Sequence, residues 1–287
     1  MTSLKLTALR ASAVLLFATT ALTASAQLRN FAGYDANSLA RNDDGSTGLV
    51  NIGFSANFFG TTYSQTYVNN NGNITFDSPL STFTPFGIPN SGRVIIAPFF
   101  ADVDTRGSDS SLVTYGTGTL GGHSAFAVNY FNVGVYNVLP IYNTFQLVLV
   151  DRSDTGAGNF DFEFNYTDIN WETGTASGGS TQGLGGNPVR VGYSNGTADS
   201  AYELPGSGIS QFFLDSNATN GLIHNQRGVA FDGTSMDGRY AFSVRNGSVI
   251  VNPPVDGSAV PEPSTYGLIG ALALGAIVAF RRRAKRA

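Results

Sequence analysis

Cysteine is absent from the 287 residues, which excludes disulfide staples, thiolate zinc sites, iron–sulfur clusters and a cysteine nucleophile. Charge is scarce as well. Asp, Glu, Lys and Arg make up 13% of the chain, roughly half the share in an average soluble protein. Histidine occurs only at His123 and His224, and neither has a His or Cys partner at zinc-ligand spacing. His123 sits in Gly121-Gly122-His123-Ser124, which reads as a turn, and no G-x-S-x-G elbow precedes a helical pattern, so a hydrolase triad has neither base nor nucleophile. What the chain has in quantity is glycine, with 35 residues, and aromatics, with 21 Phe and 12 Tyr. That mixture disfavours both a helical bundle and a disordered acidic chain. A fold built on it is held by burial.

Lysine is confined to the two ends. Lys5, Arg10, Arg281, Arg282, Arg283, Lys285 and Arg286 are seven of the 16 basic residues, and the nine left in residues 27–260 are all arginine against 19 acids. The formal net charge of −4 therefore hides a strongly acidic body. Such a body argues against nucleic acid, whose binders need a clustered basic face to displace counterions. It also rules out Schiff-base and P-loop lysine chemistry.

Residues 1–26 combine a basic start, an apolar stretch from Ala13 to Leu22 and the small residues Ala24-Ser25-Ala26. This is the three-part pattern of a secretory signal peptide, with cleavage expected between Ala26 and Gln27. The apolar stretch is well short of the ~20 residues of a permanent anchor. At the other end, Pro261-Glu262-Pro263 precedes an uncharged run from Gly267 to Phe280 and the basic cluster Arg281, Arg282 and Arg283. A helix over that run reaches about 21 Å, a marginal span of a ~30 Å hydrocarbon core. Its positive flank should stay cytoplasmic, acting as a tail anchor that holds the body outside. Together these residues resemble the PEP-CTERM sorting signal of Gram-negative bacteria. The resemblance implies processing by an exosortase near Pro261, Glu262 and Pro263, with transient anchoring in the inner membrane and delivery to the cell surface or exopolysaccharide matrix. Prolines keep that strip extended and open to cleavage. A plain single-span anchor is the alternative.

Between the ends, short strands separated by Gly, Asn and Asp turns dominate, with no sustained helical periodicity. In Asn159 to Tyr166, Phe160, Phe162, Phe164 and Tyr166 alternate with Asp161, Glu163 and Asn165, which predicts an aromatic inner face and a polar solvent face. Arg93–Phe100 and Thr144–Val150 read as strands buried on both sides. Asn69-Asn70-Asn71-Gly72, inside Tyr67–Phe76, is a hairpin signal. Further strands are expected at Ile52–Phe58, Leu112–Tyr115, Ala125–Asn132, Val189–Tyr193, Gly228–Phe231 and Tyr240–Arg245. Thr173 to Asn187 should be a surface loop. The pattern predicts an all-β fold, an antiparallel two-layer β-sandwich, followed by a short C-terminal transmembrane sorting helix. The expected organisation is a signal peptide over 1–26, a β-domain over 27–247, a Pro/Gly linker over 248–260 and a sorting signal over 261–287.

The segments Val68 to Phe76, Ile95 to Arg106, Asn143 to Leu149 and Phe164 to Gly174 follow one another in an order that resembles the nidogen-like (NIDO) extracellular domain. Phe100 stands where that family often has Trp. The resemblance implies matrix association or adhesion rather than catalysis.

Candidate chemistry is sparse. Asp102 and Asp104 alternate in an extended segment, and with Asp109 they offer hard oxygen ligands for Ca²⁺. The spacing is not that of an EF-hand, since Val113 replaces the closing Glu. Asp43-Asp44-Gly45 is a second candidate ligand turn, and the competing reading is of solvated turn carboxylates paired with Arg106. Asp161 and Glu163 share a strand face, but neighbours there sit about 6–7 Å apart, wider than the ~5–5.5 Å of a retaining glycosidase. Trp171 and tyrosines such as Tyr34 or Tyr202 would serve as sugar-stacking platforms unless core packing claims them.

The expectation is a non-enzymatic exported protein of the envelope surface or extracellular matrix, with no catalytic residues. It would serve cell–matrix adhesion or exopolysaccharide and biofilm organisation, with exosortase and matrix components as partners and Ca²⁺ as the one candidate cofactor. A lectin-like carbohydrate-binding module is the alternative, and a glycoside hydrolase the third reading.

Overall fold

The computed structural model describes residues 27–137 and 139–250. The segments expected to form the signal peptide, most of the linker and the sorting helix lie outside the described residues. Two antiparallel sheets carry the fold. Eight strands form the larger one: β1 (Asn37–Ser38), β6 (Val103–Asp104), β7 (Thr114–Leu120), β8 (His123–Val135), β9 (Leu139–Asp151), β10 (Phe160–Asp168), β13 (Arg239–Arg245) and β14 (Ser248–Ile250). Its order is β1-β7-β8-β9-β10-β13-β14, with β6 paired to β8. Six strands make the smaller sheet: β2 (Val50–Phe58), β3 (Thr61–Asn69), β4 (Asn73–Thr75), β5 (Val94–Phe100), β11 (Arg190–Asn195) and β12 (Ala201–Glu203), in the order β12-β11-β5-β4-β3-β2. Among the described residues, no helix is long and apolar enough to cross a membrane.

The core lies between the sheets and follows from period-two alternation. Phe126, Val128, Phe145, Leu147, Phe160, Phe162 and Phe164 face inward from the larger sheet and meet Phe58, Ile96, Phe99 and Tyr193 of the smaller one. The ring of Phe162 packs against Tyr193 at 5.5 Å and that of Phe99 against Phe145 at 5.0 Å. Two buried phenols tie the layers together. Tyr130 on β8 donates to the Asn69 carbonyl at 2.7 Å, and Tyr166 on β10 donates to the Pro98 carbonyl at 2.6 Å. Burial raises both phenol pKa values above the ordinary range, which keeps them neutral donors.

Both sheets are also covered on the outside, which the alternation on β10 did not predict. Phe31 from the N-terminal stretch packs on Ala125, Ala127, Val148 and Val150 of the larger sheet. Leu80, Phe86 and Ile88 pack on Ile95, Ala97 and Phe100 of the smaller one. The expected solvent face of β10 is therefore interior: Asp161 is 4% exposed and Glu163 and Asn165 not at all. Three side-chain amides and a guanidinium bridge four strands there, in the row Asn129, Gln146, Asn165, Arg239. Gln146 Nε2 donates to Asn129 Oδ1 at 2.8 Å, and Arg239 Nε donates to Asn165 Oδ1 at 2.8 Å. Buried polar groups are tolerable only when satisfied in this way.

Two local expectations change. Gly228–Phe231 is not a strand: Gly228 has φ +68°, and a Cβ there would stand 2.4 Å from the Ala241 carbonyl, so the chain bends where the sequence looks extended. Ser248–Ile250 pairs with Ser243–Arg245, so sheet structure runs three residues into the expected linker.

Candidate functional site

The Asn69–Gly72 turn does close a hairpin, between β3 and β4, yet Asn69, Asn70, Asn71 and Asn73 are all fully buried. Their amides work as fasteners. Asn70 Nδ2 donates at 2.5 Å to the carbonyls of both Asp43 and Val103. Asn71 Oδ1 accepts from the Val103 amide at 3.0 Å, while its Nδ2 donates to Asp44 Oδ1 at 2.8 Å. Gly72, at φ +72°, admits the approach, since a Cβ there would fall 1.7 Å from the Phe99 carbonyl oxygen. The Asp43-Asp44-Gly45 turn is further fixed by Asn42 Oδ1, which accepts from the Gly45 amide at 2.6 Å.

These bonds bring two distant acidic segments together. One oxygen from each of Asp43, Asp44 and Asp102 lies within 4.8 Å of the others. They line a pocket of about 120 Å³ with Phe83, Tyr136 and Ala176. Asp102 is 2% exposed. Its Oδ2, like Oδ1 of Asp43, is buried without a hydrogen-bond partner. Burial first, then the charges of Asp43, Asp44 and Asp104, push the Asp102 carboxyl up to about 7, and Arg106 opposes them. Burial, then Asp104 and Asp44, raise Asp43 to about 6, again against Arg106.

Of the expected ligands Asp102, Asp104 and Asp109, only Asp102 joins this group. Asp104 is taken up by Arg106, whose backbone amide and Nε donate to Oδ1 at 2.9 Å and whose Nη2 donates to Oδ2 at 2.7 Å. Asp109 stands exposed on the loop after β6. The pairing with Arg106 applies to Asp104 and also to Asp43, at 3.1 Å. Even so, one guanidinium serves four carboxylates.

The carboxylates of β10 are matched instead. Arg29 holds Glu163 through Nε at 2.8 Å and Nη2 at 2.9 Å, with Arg239 Nε at 3.6 Å. Arg152 and Arg245 hold Asp161 at 3.1 and 2.6 Å. Burial alone would lower the Arg29 pKa, but its bonds to Glu163 and Asp232 outweigh burial and raise it. Both acids are buried behind these arginines.

Trp171 is fully buried, edge-on to Phe99 at 5.5 Å, and Nε1 donates to the Val133 carbonyl at 3.3 Å. It is a core residue. Tyr34 packs half-buried against Phe31 and Phe131. Tyr202 lines a cavity of about 210 Å³ with Phe212, Tyr240, Asn220, Asn225 and Gln226, and the Arg227 guanidinium covers its ring at 4.6 Å. Sequence reasoning missed Glu172: fully buried, it accepts from the Gly185 amide, the Ser210 hydroxyl and the Gln211 amide, so it organises the Gly/Ser-rich loop from within. Thr173, Gly174, Ser177 and Gly183 of that loop are buried as well, and the other residues of Thr173 to Asn187 are partly or fully exposed.

Comparison with known proteins agrees with this architecture. The family model of the nidogen-like domain matches residues 64–246, and that of the PEP-CTERM protein-sorting motif matches residues 259–283. Alpha-tectorin of Mus musculus is 36% identical over 220 residues, and that of Homo sapiens 34%, each alignment covering 68% of this chain and 10% of the relative. Protein mesh of Bombyx mori is 41% identical over 75 residues, 25% of this chain and 4% of its own. The chain thus spans about a tenth of the length of the alpha-tectorins it matches. No solved structure matches it. With a domain match that runs from β3 through β13 and a sorting motif behind it, this chain belongs to the nidogen-like domain family and carries a PEP-CTERM sorting signal.

Proposed function

We propose that this is a non-enzymatic surface or matrix protein that binds exopolysaccharide or another matrix component and so contributes to cell–matrix adhesion or biofilm organisation. The observation that carries the reading is the pairing in one chain of a nidogen-like domain with a PEP-CTERM motif, the combination of an exported, exosortase-sorted extracellular protein. Cleavage after Ala26, processing near Pro261, Glu262 and Pro263, and retention by the Arg281–Arg283 tail belong to the same proposal. Consistent with it, the two acids of β10 are buried and bound to arginines. The test is co-sedimentation of the exported protein, recovered from the cell surface, with its host's purified exopolysaccharide. Retention on the polysaccharide is expected. No retention, together with unchanged surface attachment and biofilm mass in a deletion strain, would overturn the reading.

A lectin-like site is the second reading, favoured by the cavity at Tyr202, where aromatic faces meet the amides of Asn220, Asn225 and Gln226. Saturable binding that a single monosaccharide competes away, and that Tyr202→Ala weakens at least tenfold, distinguishes it from diffuse matrix association.

A further inference from the structure

The Asp43–Asp44–Asp102 pocket has no place in an adhesion reading, and its chemistry points elsewhere. All three side chains are hard oxygen donors, with no imidazole or thiol beside them. Asp102 is withdrawn from water with Oδ2 unpartnered, an arrangement that costs free energy for the carboxylate until a proton or a metal cation joins it. Oxygens on opposite sides of a Ca²⁺ ion at 2.3–2.6 Å are about 5 Å apart, and the separations within 4.8 Å fit that span. The pocket of about 120 Å³ leaves room for the ion and two or three waters, at ~30 Å³ each. Arg106 neutralises Asp104 and part of Asp43, which leaves the pocket itself with excess negative charge.

From this geometry we infer that Asp43, Asp44 and Asp102 form a calcium site that joins the turn before β2 to the corner between β5 and β6. The ion takes carboxylate oxygens from both segments and completes its shell with water. Mg²⁺, which demands a smaller octahedron and gives up its waters reluctantly, is the poorer fit. Affinity falls in the range of extracellular modules, with Kd on the order of 10⁻⁴–10⁻³ M. Gly174 belongs to the design of the site. Its backbone (φ −75°, ψ 159°) suits any residue, yet a Cβ there would lie 2.2 Å from Asp102 Oδ2. Side-chain absence at Gly174 leaves the carboxylate its position.

The test uses the exported chain stripped with EDTA and titrated with CaCl₂, read by thermal unfolding and by Tb³⁺ luminescence sensitised through Tyr136, which lines the pocket. At a hundredfold excess over Kd, Tm should rise by about 5–10 °C. Asp102→Asn and Gly174→Ala should each weaken the response at least tenfold, the second without removing a ligand, while Asp109→Asn leaves it unchanged. The inference is overturned by an absent Ca²⁺ response in both readouts, by an equal response to Mg²⁺, or by a response that survives both pocket variants. Polysaccharide binding is not read in this experiment, so the adhesion proposal stands or falls separately.

Discussion

On the outer face of the larger sheet, Glu163 is gripped by Arg29 and Arg239 and Asp161 by Arg152 and Arg245. In the pocket at Asp102, three carboxylates and Asp104 share Arg106 alone. Both regions bury the same functional group. In the first, the chain supplies its own counter-charges, and the acids become structural. In the second it supplies too few: two oxygens stay unpartnered, and burial, then the neighbouring carboxylates, raise the carboxyl pKa values. An ion pair completed within the fold is a fastener, whereas an incomplete one held open by neighbouring amides is a binding opportunity.

Charge deletion should therefore act with opposite sign in the two places. Arg29→Ala leaves Glu163 buried with Arg239 at 3.6 Å as its one remaining ion-pair partner and without either short bond, and unfolding in urea should show a loss of about 3–5 kcal/mol. Adding Glu163→Leu to Arg29→Met should recover only part of it, because Arg239 is then buried without its carboxylate. A loss under ~1 kcal/mol for the single variant would mean that water reaches Glu163 and the contrast collapses. In the pocket, Asp102→Asn removes a repelled charge and puts an amide donor beside two carboxylates. In EDTA it should stabilise the protein by about 1–3 kcal/mol, and destabilisation there would break the comparison from the other side.

Asp215 offers a smaller, intermediate case. Burial raises its carboxyl to about 6, the Ile169 amide opposes that, Asp168 adds to it and His224 opposes it. Its Oδ1 is buried without a partner, while Oδ2 accepts from Ile169 at 2.9 Å. Because the folded value lies above the ordinary 3.8, the native state holds a proton that the unfolded chain releases between about pH 4 and 6. Stability falls as pH rises through that window. Asp215→Asn should then exceed wild type by about 1 kcal/mol above pH 7 and match it near pH 4. Thermal melts across that range check this, and a constant offset at all pH values would assign the effect to packing.

Much of the architecture could be read from short-range pattern. Phe160, Phe162, Phe164 and Tyr166 announce the inner face of β10 because alternation is local, and Asn-Asn-Asn-Gly announces a turn for the same reason. What failed is non-local. Nothing near Glu163 indicates that Arg29, 134 residues earlier, will cover it. Asp102 and Asp104 look like co-ligands from spacing, but Arg106 sits two residues from Asp104 and takes it first. The Asp43-Asp44 turn was noticed as a separate feature, and only the buried Asn70 and Asn71 amides reveal that it meets Asp102. Trp171 next to an acid looked available to a ligand, but the segment after β10 turns it into the core against Phe99.

The clasp at the start of the domain also orders events in time. Arg239 donates to the Gln27 carbonyl across 212 residues, and Arg29 reaches Asp232 across 203. Closing loops of that length is entropically costly and comes late. Gln27 and Arg29 therefore have no partner on β13 or at Asp232 until those later segments are in place. A chain that ends before Arg239 lacks β13 and β14, so the edge of β10 that pairs with β13 stays open and the Gln27 carbonyl loses its partner.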